Sequence, residues 1–316
     1  MIKVLFALLC FMFLSACNST SSSQDSKKSL LINIEPSQLL NHFQQLSSDT
    51  FQGRKVSSDG NLKAQQYIIK QLANISASPY KGKFKHSFQY SSGFKAKFGS
   101  NIIAEIKGNK DNLDYIVLTA HFDHLGKKGS KIFNGADDNA SGTSALLSMA
   151  QQLVKQPLNH NVIILFTDAE ESGLKGSKAF FEQNKALHSR IKLNINMDML
   201  AGSRSSKKLH YIFHDLDKLL SKEDYEKFQH NHLYHELSIV KGFRKERYAL
   251  NKRTNWLLAS DHGVFYQNGV PFIYYGVGTH QNYHSQHDEF SNTNHKLLIH
   301  STNAIYQQLL FLDQVI

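Results

Sequence analysis

The stretch Val162-Ile163-Ile164-Leu165-Phe166-Thr167-Asp168-Ala169-Glu170-Glu171 joins five consecutive apolar residues directly to a knot of acids. An apolar run without alternation suits a strand covered on both faces, which is the habit of parallel sheets. Acids at its exit stand where open α/β sheets receive ligands, outside the carboxyl ends of the strands. Upstream, residues 142 to 155 carry Leu146, Met149, Ala150 and Leu153 at helical spacing, and Tyr115 to Thr119 is a further strand. Downstream, a helix is predicted from Gly173 to about Asn184 and a strand over Leu193 to Met197. Strand Asn101 to Ile106 is expected to lie beside 115–119 across a turn at Asp111-Asn112, with edge strands between Phe84 and Phe98. Pro36 opens a short packing helix, and Leu62, Gln65, Ile69 and Leu72 mark another. The alternation predicts an α/β fold: a mostly parallel central sheet flanked by helices on both faces, in a single catalytic domain over 31–316.

The chain has 316 residues, 41% of them hydrophobic, which suffices for a sizeable core and excludes disordered and fibrous classes. No apolar run approaches the roughly 20 residues of a membrane-spanning helix. The formal charge of +10 favours anionic surfaces without naming a partner. With two cysteines, Cys10 and Cys17, neither a disulfide framework nor a thiolate zinc site can be built, so any metal must be held by His and carboxylates. Lys3 followed by the apolar run Val4 to Leu14 reads as an export signal over 1–16. Its end, Leu14-Ser15-Ala16-Cys17, resembles the bacterial lipoprotein signal, with Cys17 as the lipidated residue and a Ser-rich tether over 17–30. The expectation is a bacterial cell-envelope protein, anchored to a membrane through lipid on Cys17. Asn18 favours, by the same resemblance, the outer membrane, facing the periplasm or the exterior.

Chemistry-bearing residues collect at strand ends. His121-Phe122-Asp123 follows the 115–119 strand, Asp137-Asp138-Asn139 precedes the 142 helix with Asn139 or Ser141 as its cap, Glu170 and Glu171 follow 162–166, and Asp198 ends 193–197. Carboxylates brought that close repel, and divalent cations would neutralise them and accept their oxygens. A His, Asp and Glu set without thiolate suits zinc, with cobalt or manganese also acceptable to the same donors.

Thr119 to Asp123, Asn134 to Gly142, Phe166 to Ser177 and Asn196 to Met199 together resemble peptidase family M28, which contains dizinc aminopeptidases. Ser260-Asp261-His262 and Tyr283-His284-Ser285-Gln286-His287-Asp288 continue the resemblance in order, and the Gly53-Arg54 to Ile69 segment resembles the family's N-terminal helix region. The resemblance implies a zinc aminopeptidase-like fold and two zinc ions per chain. His121 and Asp198 would bind one, Glu171 and His284 the other, and Asp137 would bridge them; His287 is the alternative last imidazole. Glu170 would be the general base, Asp123 would fix the His121 tautomer through its second ring nitrogen, and Asp138 would be structural. Asp261 and His262 would be wall residues holding the pocket.

The implied activity is metal-dependent hydrolysis of N-terminal residues from peptides with a free N-terminus. Other readings of the same motifs are a carboxypeptidase of the family, a glutaminyl cyclase-like aminoacyl transferase working at a single zinc, and a non-catalytic surface binding protein. Residues 203–254 read as a variable His-rich and basic insertion, with His230, His232 and His235 on a solvated helix or loop. The basic run Lys241, Arg244, Lys245, Arg247, Lys252 and Arg253 reads first as a solvated face, with lining of the pocket rim or contact with anionic lipid headgroups as the other readings. No nucleic-acid partner is expected, for no aromatic-interleaved basic motif is present, and a monomer is expected.

Overall fold

In the computed structural model, which describes residues 34–316 except 94, 112–113, 232–236 and 244–253, the 162–166 run lies inside a mixed sheet. Its strands are β1 (Ser78–Pro79), β2 (Lys85–Ser92), β3 (Lys95–Ile106), β4 (Tyr115–His121), β7 (Asn161–Thr167), β8 (Ile191–Met197), β9 (Lys208–His214), β10 (Ser238–Lys241) and β11 (Phe272–Gly276), while β5 (Gly126–Lys128) and β6 (Lys131–Phe133) form a separate hairpin. The helices are α1 (Pro36–Leu46), α2 (Asp59–Asn74), α3 (Gly142–Lys155), α4 (Lys175–Gln183), α5 (Leu216–Leu219), α6 (Lys222–Asn231), α7 (His262–Gln267) and α8 (His295–Val315).

The sheet order is β1-β3-β7-β4-β8-β11-β9-β10, with β2 paired to β3. Parallel pairing joins the four central strands β7, β4, β8 and β11, and β9 to β10; the flanking pairs are antiparallel. Strands β3 and β4, expected as neighbours, are separated by β7, to which β3 is antiparallel. The reason is the crossover through α3. The chain leaving β4 returns as a parallel strand on the side where β3 would have paired, and the buried, unalternating β7 gains two neighbours there.

Every residue of β4 and β7 is buried, as their continuous apolar sequence requires. Alternate side chains serve opposite faces. Ile103, Val117, Ile163 and Leu165 form one cluster with Phe180 and Phe181 of α4 and Val264 and Phe265 of α7. The other face is packed by α3, against which α1, α2 and α8 lie. Helix α3 spans the predicted residues, and of the two capping candidates Asn139 supplies the bond, its Oδ1 accepting from Gly142 N at 2.9 Å. Helix α4 starts at Lys175 rather than Gly173, because Ala169 and Leu174 take left-handed conformations and the intervening residues close a turn through Leu174 N to Glu170 O, 2.9 Å. The parts of the 203–254 segment that are described contribute β9, α5, α6 and β10 to the sheet margin, with His230 exposed on α6. Residues 1–33 with Cys17, and His232, His235, Arg244, Lys245, Arg247, Lys252 and Arg253, lie outside the described residues. Among the described residues no helix is long and apolar enough to cross a membrane.

Candidate metal centre

Four chain segments leave the carboxyl ends of β4, β7, β8 and β11 and bring their polar residues to one crevice. His121 is the last residue of β4, Asp198 follows β8, Glu170 and Glu171 occupy the turn after β7, and His284 lies beyond β11. Asp138 sits in the loop before α3. His121 Nε2 lies 3.2 Å from Asp198 Oδ1 and 3.4 Å from Asp138 Oδ1. On the other side His284 Nε2 lies 3.1 Å from Asp138 Oδ2 and 3.2 Å from Glu171 Oε2. The two oxygens of Asp138 therefore face two different donor groups.

That placement corrects the expected division of labour between the paired aspartates. Asp137, expected between the two groups, is turned away: its Oδ1 accepts from Ala201 N at 2.7 Å and its Oδ2 faces His280 Nε2 at 3.0 Å. Asp138, expected to be structural, occupies the central position. The physical cause is Asp288, whose carboxylate accepts from both loop amides, Asp137 N at 2.9 Å and Asp138 N at 3.0 Å, while its carbonyl accepts from Ala136 N at 3.0 Å. With the backbone so pinned, only the second side chain of the pair points into the crevice.

Asp123 also departs from expectation. His121 Nδ1 lies 3.2 Å from the Asp123 backbone carbonyl and 3.8 Å from its carboxylate, which instead accepts from Glu170 N at 3.0 Å. Asp123 thus ties the β4 exit to the turn carrying Glu170. His287 is outside the group around Asp138, and its amide bonds Ser285. Asp261 and His262 lie behind the wall. Asp261 accepts from Thr167, and His262 stacks on Tyr274 with ring centroids 4.3 Å apart and bonds the Trp256 carbonyl at 2.7 Å. Asp168 serves the backbone, accepting from Ser100 N, Ala169 N and Asn61 Nδ2, each at 2.9 Å.

Three residues around the centre were not singled out from the sequence. His124 is buried with Nδ1 2.9 Å from Glu171 Oε1 and 3.6 Å from Asp138 Oδ2. The only sequence signal for it was its place three residues past His121. Arg54 is 1% exposed and donates to the carbonyls of Leu46, Phe122, Asn134 and Gly135 at 2.6–2.8 Å, fastening two of the loops that carry the site. Burial pulls its guanidinium down to about 10 against the nearby carboxylates Asp138, Asp288 and Asp123, and it remains a cation at neutral pH. Asp288, already noted, lay in a quoted motif without a role.

The electrostatics describe a crowded acid cluster. Burial raises Glu170 well above the ordinary carboxylate range, and Glu171 and Asp198 push the same way against His121. Glu171, despite burial that would raise it, is held low by His124 and His284. Burial disfavours charge on His284, yet the Asp138 and Glu171 carboxylates lift it to about 10. The crevice opens as a cavity of about 490 Å³ whose floor includes His121, Asp138, Glu170, Glu171, Asp198 and His284, and whose wall includes Met199, Trp256, Tyr274 and Tyr283. Two donor triplets, His121 with Asp138 and Asp198, and His124 with Asp138 and Glu171, each fall within 4.8 Å. The buried atoms His124 Nδ1, His124 Nε2 and Glu171 Oε1 have no hydrogen-bond partner among the described residues. Unpaired buried donors and acceptors are rare in native proteins, and two of these, His124 Nδ1 and Glu171 Oε1, stand 2.9 Å apart in a set of imidazoles and carboxylates that fits divalent ions.

The sequence model of Peptidase family M28 matches residues 101–309. Among curated proteins, aminopeptidase Y of Saccharomyces cerevisiae is 29% identical over 221 residues, 64% of this chain and 38% of that protein. Leucine aminopeptidase 2 of Trichophyton equinum is 33% identical over 133 residues, 42% of this chain and 25% of that protein. The chain thus matches well under half the length of each of these relatives. Among solved structures, BSAP, a zinc aminopeptidase from Bacillus subtilis, superposes with a TM-score of 0.69 at 14% identity, over 87% of this chain and 94% of that one. A glutaminyl cyclase of Fimbriiglobus ruber superposes with a TM-score of 0.70 at 16% identity, over 88% of this chain and 95% of that one. At these identities the structural likenesses establish the fold.

Proposed function

This chain belongs to peptidase family M28, and from that membership we propose that it is a metal-dependent exopeptidase removing N-terminal residues from peptides. The observation that carries the proposal is Asp138, whose two oxygens face separate imidazole and carboxylate groups on the floor of one open cavity. His121, Asp138 and Asp198 would hold one divalent ion, and Asp138, Glu171 and His284 the other; zinc is the metal best suited to the donors. Bound there, such ions would activate a water and polarise the scissile carbonyl.

The remaining chemistry belongs to the chain. Glu170 lines the cavity beside these donors, and its burial among carboxylates raises its proton affinity well above that of a free side chain. A carboxylate placed there can take a proton from an attacking water and return it to the leaving amine. Asp123 holds the Glu170 amide, and Asp288 holds the Asp138 amide, so both groups stand on fixed backbone. The wall of Met199, Trp256, Tyr274 and Tyr283 is apolar and aromatic, which suits a large apolar N-terminal side chain. The aminopeptidase names of the curated relatives support the free N-terminus as the group recognised.

The amino-terminal reading is carried forward as part of this proposal: an exported lipoprotein, held at the cell envelope through Cys17 and monomeric. Its export and anchoring parts are supported by the pattern of residues 3–29.

The test is hydrolysis of a panel of aminoacyl chromogenic substrates, with their N-acetylated forms, by the purified 18–316 chain, alongside metal analysis. Turnover confined to free amines, lost on chelation and restored by zinc with about two ions per chain, is expected. Cleavage from the carboxyl terminus, or ammonia release from N-terminal glutamine with one ion bound, would replace this reading by the carboxypeptidase or the cyclase.

A further inference from the structure

We propose that His124 is a fourth protein ligand to the divalent ion held by Asp138, Glu171 and His284, an assignment that rests on the two-ion reading above. The imidazole is buried, with a fully enclosed side chain, and Nδ1 points into the carboxylate cluster, 2.9 Å from Glu171 Oε1 and 3.6 Å from Asp138 Oδ2. At 2.9 Å a hydrogen bond to Glu171 would be expected. The alignment is wrong for one, and both His124 Nδ1 and Glu171 Oε1 are left without any partner among the described residues. Two lone pairs that approach closely but do not face each other along a hydrogen bond are disposed to meet at a third atom.

The ring is also seated on purpose. Gly135 takes φ +55°, and a Cβ there would stand 2.4 Å from two atoms of the His124 ring, so the loop before Asp138 leaves room for the imidazole only because it bears no side chain. The His284 ring approaches from the other side, its centroid 5.8 Å from that of His124, so two imidazoles flank the Asp138 and Glu171 carboxylates. A single bridging water between His124 and Glu171 could also satisfy these atoms, and the experiment separates the two.

The consequence is an asymmetric pair. His124, Asp138, Glu171 and His284 would give one ion four protein donors, the closed arrangement of structural zinc sites, whereas His121, Asp138 and Asp198 give the other three and leave a position open to the cavity. The ion on the His121 side should therefore be the first to leave.

The test uses the zinc-loaded 18–316 chain under graded chelation, with metal counted by mass spectrometry and X-ray absorption recorded on the form retaining one ion. Two imidazoles on the retained ion, and an affinity for it that falls at least about 100-fold in His124→Ala, are expected; loss of an outer partner alone typically costs about 10–100-fold. Two ions at full loading but one imidazole on the retained ion, or a folded His124→Ala chain with unchanged affinity, would overturn the assignment and leave the two-ion reading standing. A chain that binds no divalent ion would overturn both. Because the absorption measurement is made on the 18–316 chain without any substitution, a variant that fails to fold does not decide the outcome.

Discussion

At the scale of single residues, adjacent aspartates with the same side chain have different environments, and the difference is measurable. Asp138→Ala removes a donor that faces both imidazole groups, so on the proposed two-ion reading metal content should fall from about two ions per chain to less than one. Asp137→Ala instead leaves the Ala201 amide unpaired, which should cost about 1–3 kcal/mol of stability while metal stays bound. Denaturant titration and metal analysis of the two variants read the contrast, and equal metal loss in both would reverse the assignment. Glu170→Gln keeps the size of the side chain and removes its basicity. Its kcat should drop by about 10²–10⁴ with metal retained, and undiminished turnover in a loaded variant would exclude Glu170 as base. Arg54→Met would strand four backbone carbonyls in the interior, and a loss of about 3–5 kcal/mol is expected from equilibrium unfolding.

At the scale of elements, the site depends on loops that are tied to strands and helices by buried carboxylates. Asp288 fixes the loop before α3, Asp168 fixes the turn after β7, and Asp313 at the end of α8 fixes the entrance of β7. Asp313 accepts from Asn159 N at 2.8 Å and from His160 N and Nδ1, each at 2.9 Å. Burial raises its carboxyl, but these hydrogen bonds outweigh burial and hold it below its ordinary value. A depressed folded-state pKa gives stability that is present above the unfolded pKa of about 3.9 and lost as pH falls through the lower folded value. Thermal unfolding should therefore show Asp313→Asn less stable than the parent at pH 7, with the gap closing below about pH 4. A gap that does not narrow at all as pH is lowered from 7 through the acid range would show that the contact works through packing and not through charge.

At the scale of the whole molecule, four parallel strands aim their carboxyl ends at one crevice, and the antiparallel margins extend the sheet without entering it. This arrangement lets residues from positions 121 to 284 act together on rigid supports. The proposed lipid anchor belongs to this scale too. If Cys17 carries lipid, Cys17→Ser should move the protein from the membrane fraction of its host to the soluble fraction without altering turnover of a small substrate. Retention of the variant with membranes would exclude that anchor.

The strand-end acids, the helix over 142–155 and the family were legible in the sequence because they rest on local patterns: apolar continuity, helical period and short motifs in order. His121, Glu171, Asp198 and His284, which the proposal makes metal donors, could be singled out for the same reason, since each stands in such a motif. What only the tertiary structure decided is how those segments meet. The place of β7 between β3 and β4 is a long-range pairing that no local spacing encodes. The exchange between Asp137 and Asp138 turns on one loop held by Asp288 from 150 residues away, and a motif of two identical side chains carries no mark of which one faces inward. His124 and Arg54 became visible only through burial and unpaired or fully paired atoms, because the energetic meaning of a buried polar group is set by its surroundings and not by its neighbours in the chain.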